Sequence, residues 1–120
     1  MPAIANSPQT AAQRMTLALA PRGVTAHIDE DAGSSWLVIS LDGTDFPAEG
    51  TPKLVVFVYD ANEASSFVDQ PMEHRGGSWR VTFDNGTRER DVFYGRRADP
   101  ATATALCAEF IAEYLSAPSA

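Results

Sequence analysis

Cys107 is the only thiol in the chain and His27 and His74 are its only imidazoles. The one cysteine-nucleophile arrangement open to this protein is therefore Cys107 activated by either histidine. Packing is the plainer reading, because Cys107 falls on the apolar stripe of a helical segment, where free cysteine serves as a small buried hydrophobe. Metal binding needs three or four converging ligands, and two distant histidines without a cysteine pair make no zinc pattern. Asp29-Glu30-Asp31 lacks the alternate spacing and closing glutamate of a calcium loop and reads as a solvated turn. Asp42 and Asp45 have a spacing suited to acid–base work, yet they lie in a glycine-containing turn, where aspartates ordinarily bond their own backbone. Gly95-Arg96-Arg97 could meet an anion, but Asp99 already places negative charge at the start of the next helix. Phosphate loops, serine elbows and dinucleotide fingerprints are missing from the sequence. The expectation is a protein that is not an enzyme, with no metal and no cofactor.

Residues 79–94 carry the sharper pattern. Trp79, Val81 and Phe83 alternate with Arg80, Thr82 and Asp84, and Asn85-Gly86 signals a tight hairpin because both residues tolerate positive φ. A two-residue turn sets Arg80 opposite Asp91, Thr82 opposite Glu89, Val81 opposite Arg90 and Phe83 opposite Arg88. That register puts two arginines on the apolar face, which a closed core rejects. Either a bulge flips the second strand, or this end of the sheet is open and Arg88 and Arg90 lie over aromatic rings. The open alternative makes Trp79, Arg80, Arg88, Arg90 and Tyr94 a candidate partner-binding surface, suited to an acidic segment of another protein. The neighbouring loop adds Phe67, Met72, His74 and Arg75 as candidate contacts, with packing over the sheet edge as the plainer alternative.

These residues need elements to hold them. Ser7 as N-cap and Pro8 at the first helical position open a helix whose face is Ala11, Met15, Ala18 and Leu19, and Pro21 with Gly23 ends it. Val24, Ala26 and Ile28 alternate with polar neighbours and predict a strand with one wet face. Residues 36–41 and 54–59 are apolar on both faces and predict central strands. Asn62 begins a segment that either forms a short helix through Val68 or does not, before Pro71. A returning strand runs over 87–94. Asp99 and Pro100 open the last helix, with Ala103, Leu106, Cys107, Phe110, Ile111 and Tyr114 as its stripe.

The fold class is therefore α+β: an antiparallel sheet of about five strands with an N-terminal and a C-terminal helix on one face, in the order α-β-β-β-(α)-β-β-α. Residues 7–117 form a single domain between flexible ends, 1–6 and 118–120. With the short helix included, this order resembles that of the small acidic type III secretion chaperones, a likeness that implies a homodimeric binding module. The likeness extends to element order, and no functional residue is carried across.

Charge and composition narrow the partners. The net charge is −7, and residues 1–73 hold ten acids against Arg14, Arg22 and Lys53. Residues 74–97 hold six arginines against Asp84, Glu89 and Asp91. Nucleic-acid binding, which needs several phosphates neutralised together, is disfavoured by this balance. A 44% hydrophobic content with eleven aromatics fills a core without a metal or disulfide. The lone cysteine, the absence of an apolar membrane-length run and a start without signal-peptide character make a cytoplasmic bacterial protein the expectation. A non-catalytic protein-binding module follows, with a small-molecule pocket between sheet and helices as the alternative.

Overall fold

Thr10 opens the first helix. Its hydroxyl accepts the Gln13 N–H at 3.1 Å, and the Gln13 side chain accepts the Thr10 N–H at 3.0 Å, a reciprocal capping box. The helix, α1, spans Ala11–Leu19 and buries Ala11, Ala12, Met15 and Leu19. The predicted caps Ser7 and Pro8 lie outside the residues that the computed structural model describes, which are 10–31, 34–41, 45–48, 50–59, 68–69, 78–95 and 99–116. A 3-10 turn at Ala20–Arg22 and Gly23, at φ 74°, end α1 where Pro21 and Gly23 predict.

Five strands follow, β1 His27–Asp31, β2 Ser34–Ser40, β3 Lys53–Tyr59, β4 Ser78–Asp84 and β5 Glu89–Tyr94, and they pair antiparallel in chain order. The second helix, α2, spans Pro100–Ser116. Asp99 caps it as expected, its carboxylate accepting the Thr102 N–H at 3.0 Å, a bond that lowers the Asp99 pKa. Both helices cover one face of the sheet, so the α+β architecture and its order match the sequence reading. The questioned helix after Asn62 falls mostly outside the described residues; Val68 and Asp69 at its end form a turn.

Strand pairing lines the core residues into rows. Ile28, Leu37, Val56, Val81 and Phe93 form one row across all five strands on the helix side, and Ile39, Leu54, Phe83 and Arg90 follow in the next. Trp79 fills the space under α2, fully buried, and its indole N–H donates to the buried Thr104 hydroxyl at 3.0 Å. Phe93, Phe110, Tyr114 and Phe83 close the β5 end through tilted ring contacts with centroids 4.9 to 6.1 Å apart. At the other end the Val68-Asp69 turn ties α1 to β2: Ala12 N–H donates to the Val68 carbonyl at 2.7 Å and the Ser35 hydroxyl to Asp69 at 3.0 Å.

Several details correct the sequence reading. Asp29-Glu30-Asp31 is strand rather than turn, because β1 continues to Asp31 before reversing. Ile28 is 50% exposed instead of core, since β1 is an edge strand that α1 does not fully cover. On α2, Leu106 is 47% exposed, while Thr104 and Ala108 take buried positions, Thr104 because its hydroxyl serves the Trp79 indole.

The hairpin register also differs. Asp84 pairs with Glu89, Phe83 with Arg90 and Thr82 with Asp91, so four residues turn the chain and the register moves by two. Asn85 is the reason: its side-chain oxygen accepts N–H groups from both Thr87 and Arg88, at 2.9 and 2.8 Å, which winds a longer turn than Asn-Gly alone implies. Gly86 sits at φ 100°, and a Cβ there would strike the Gly50 backbone carbonyl. Gly86→Ala is expected to destabilise the domain by roughly 1–3 kcal/mol, combining an unfavourable φ with that collision. Urea titration checks it, and an unchanged midpoint would remove the argument.

Candidate functional site

The face of the sheet opposite the helices is built by the odd positions of β1 and β3 and the even positions of β2 and β4. Asp29 pairs with Trp36; one step past the Leu37–Val56 pair, Phe57 continues that row; Phe57 pairs with Arg80 and Arg80 with Tyr94. His27, Val38, Val55, Thr82 and Asp91 form the row beside it. Trp36, Val55 and Phe57 are half-buried and Tyr94 is 61% exposed, so large apolar groups face outward on a sheet that no described helix covers.

Tyr94 reaches this face through a bulge. Val81 pairs with Phe93 but Thr82 with Asp91, which leaves Val92 as an extra residue on β5 and changes which side chains face out. Phe93 turns to the helices and Tyr94 to the open face. The Gly95 N–H donates to the Trp79 carbonyl at 2.8 Å and holds this end of β5 against β4.

Asp91 organises the group. One of its oxygens accepts the Thr82 hydroxyl at 3.1 Å and the other accepts the Tyr94 hydroxyl at 2.7 Å, and this acceptor raises the Tyr94 pKa above its ordinary value. The Arg80 guanidinium lies 4.5 Å from the Tyr94 ring centroid, a cation–π stack. A shallow cavity of about 530 Å³ opens beside them, floored by Val55 and Phe57 and rimmed by Thr82, Glu89, Arg90 and Asp91. At the far corner Lys53 and Asp84 form an ion pair at 3.4 Å; the Gly86 N–H first and Lys53 second hold the Asp84 pKa below its usual range.

The sequence-predicted site residues divide. Arg80 and Tyr94 share the open face. Trp79 points the opposite way into the core, so it cannot meet a partner in the folded protein. Arg90 lies with its guanidinium 5.6 Å from the Phe83 ring centroid on the helix side, the arginine-over-aromatic placement expected of the open alternative. Arg88 is an exposed turn residue. The three arginines therefore do not converge on one surface. Phe67, Met72, His74 and Arg75 lie outside the described residues. Trp36 and Phe57 were missed as site residues, because strands apolar on both faces read as sandwiched and do not reveal that one side has no helix.

The other chemistry separates too. Cys107 is fully buried on the helix side and burial pushes its thiol well above the ordinary range, while His27 faces the opposite side of the sheet, edge-on to Phe46 at 5.5 Å. Asp29 and Asp31 face away from Glu30, so that trio cannot converge on one ion. Among the described residues no three His, Cys, Asp or Glu side chains gather as a metal site, and no helix is long and apolar enough to cross a membrane. Asp42 lies outside the described residues, and Asp45 is exposed. No protein-family model, curated protein or solved structure matches this chain, so the likeness to the secretion chaperones rests on element order.

Proposed function

We propose that this protein is a non-catalytic binding module that engages another protein through the open face of its sheet. The carrying observation is the outward row Trp36, Phe57, Arg80 and Tyr94, in which Asp91 fixes the tyrosine and the tyrosine carries the arginine. Tyr, Trp and Arg are the side chains that most often anchor interfaces, and holding them in place beforehand reduces the ordering cost of association. The alternative, a small-molecule pocket between sheet and helices, is disfavoured because Leu37, Ile39, Leu54, Trp79 and Ile111 fill that layer at zero exposure.

Charge speaks to the partner. Asp29, Asp31, Asp84, Glu89 and Asp91 share the open face with Lys53 and Arg80. An acidic segment would have needed Arg80, Arg88 and Arg90 side by side; this face favours an apolar or aromatic anchor flanked by basic groups. Five strands spaced about 4.8 Å apart and about 20 Å long present roughly 400 Å², half of what a stable complex buries per partner, so the exchange is transient.

Crosslinking capture with the tagged chain tests the reading. The double variant Arg80→Ala/Tyr94→Ala should lower captured partner at least tenfold, consistent with a loss of about 2 kcal/mol from an anchor pair, while its melting temperature stays close to the parent's. Arg88→Ala/Arg90→Ala should leave capture within about twofold. Equal capture by parent and Arg80→Ala/Tyr94→Ala would rule the open face out.

A further inference from the structure

We propose that the groove between α1 and edge strand β1 docks an extended basic segment of another protein, its apolar side chains entering between Leu17 and Ile28 and its lysines or arginines meeting the β1 aspartates. The apolar part of this groove lies on the helix side of the sheet, while Asp29 and Asp31 border the open face at the β1 end of the Trp36–Tyr94 row; neither part uses Arg80 or Tyr94. It is an open depression of about 580 Å³, with Ala12, Thr16, Leu17, Ile28 and Asp69 among its walls. Leu17 and Ile28, at 59% and 50% exposed, are among the largest exposed apolar side chains in the protein, and they face the same space.

Period decides the form of the occupant. Along β1, Ile28 and Glu30 face the groove side, while His27, Asp29 and Asp31 face the other. A strand laid along this edge alternates in the same way, so a segment of alternating apolar and basic residues puts one set against Leu17 and Ile28 and the other against Asp29 and Asp31. Among the described residues β1 ends the sheet, so its outer edge pairs with no further described strand. The Glu30 N–H donates to Asp29 Oδ1 at 3.0 Å, an exposed bond that a partner carbonyl can replace.

Charge decides whose segment it is. A second copy pairing β1 with β1 about a two-fold axis normal to the sheet keeps every side chain opposite one from the same face, and full overlap then sets Asp29 directly across from Asp29. Residues 1–73 carry ten acids against three basic residues, so attraction runs toward a basic partner.

Fluorescence anisotropy with a labelled heptapeptide of alternating Lys and Leu provides the probe, with Lys–Ser and Glu–Leu heptapeptides as controls. The Lys–Leu peptide should bind the full chain saturably, at least about tenfold tighter than either control, and more weakly as salt rises. Leu17→Glu should cost about tenfold and Ile28→Thr severalfold, and because both side chains are half or more exposed the variants should melt near the parent temperature. If Leu17→Glu fails to fold, Leu17→Ser carries the comparison. Arg80→Ala/Tyr94→Ala should bind the peptide like the parent, which separates this groove from the open face. Equal binding of Lys–Ser, or affinity indifferent to both groove variants, overturns the proposal. So does a parent dimer in sedimentation that Leu17→Glu dissociates, because the occupant is then a second copy.

Discussion

Trp79→Ala should be the most damaging single substitution among those considered, lowering unfolding free energy by about 3–5 kcal/mol. Three losses combine at this position. The indole is fully buried beneath α2, its removal leaves a large void in the buried cluster it shares with Val58, Val81 and Ala103, and the Thr104 hydroxyl loses a donor at 3.0 Å. A domain of this size has about 5–15 kcal/mol to lose, so the variant sits near the edge of folding. Trp79→Phe narrows the terms: it keeps most of the volume and removes the hydrogen bond with the smaller part of the ring, for a cost of about 1–3 kcal/mol. Urea unfolding of the two variants beside the parent measures both. Parent-like stability in Trp79→Ala would mean that α2 does not rest on this side chain.

Cys107 should show the largest kinetic effect. Its sulfur is fully buried, so a thiol reagent must wait for α2 to lift from the sheet, and modification should run about a thousandfold or more slower than in denatured protein. The same burial gives a pH dependence. Desolvation holds the folded-state thiol above its ordinary value of 9.0, which favours the protonated form in the native protein. A group raised on folding contributes its full stability below the unfolded pKa and loses it as pH climbs toward the folded one. Stability should therefore fall by up to about 1.4 kcal/mol per pH unit above 9, as the unfolded chain ionises and the folded chain does not. Tyr94 is raised as well, by its bond to Asp91, so the Cys107→Ala variant is the reference that isolates the thiol. Denaturation midpoints from pH 8 to 10.5 in the two proteins should converge as pH rises; parallel curves would show that the thiol ionises equally in both states.

Elements whose signals are local were legible. Asp99-Pro100 opening α2, the alternation of Trp79, Val81 and Phe83, and the Pro21–Gly23 stop each depend on a few adjacent residues, and each appears where the sequence places it. The Thr10–Gln13 capping box was equally visible, but Ser7-Pro8 offered a competing start. What depends on distant partners was not legible. Nothing in HIDED distinguishes an edge strand from an inner one, so Ile28 read as core. The hairpin turns on the Asn85 side chain, which joins Thr87 and Arg88 and lengthens the reversal; this moves the partners of Thr82 and Phe83 by two, and the Val92 bulge moves those of Arg80 and Val81 by one more. Trp36 and Phe57 belong to runs apolar on both sides, and such runs do not say which side the helices leave bare. Trp79 differs: its alternation is legible, but the register that puts arginines on its face predicts an open surface there, whereas α2 covers it.

Val92 is the pivot of β5. As the unpaired residue of β5, it shifts the phase between Asp91 and Phe93, and everything C-terminal to it inherits that shift. Were Val92 to pair with Val81 instead of bulging, the strand's tail would turn over, sending the Tyr94 phenol toward the helices and the Phe93 phenyl into water. A change of side chain at that spot is mild by comparison, because the backbone count, and not the valine's own chemistry, decides which aromatic ring the outside world meets.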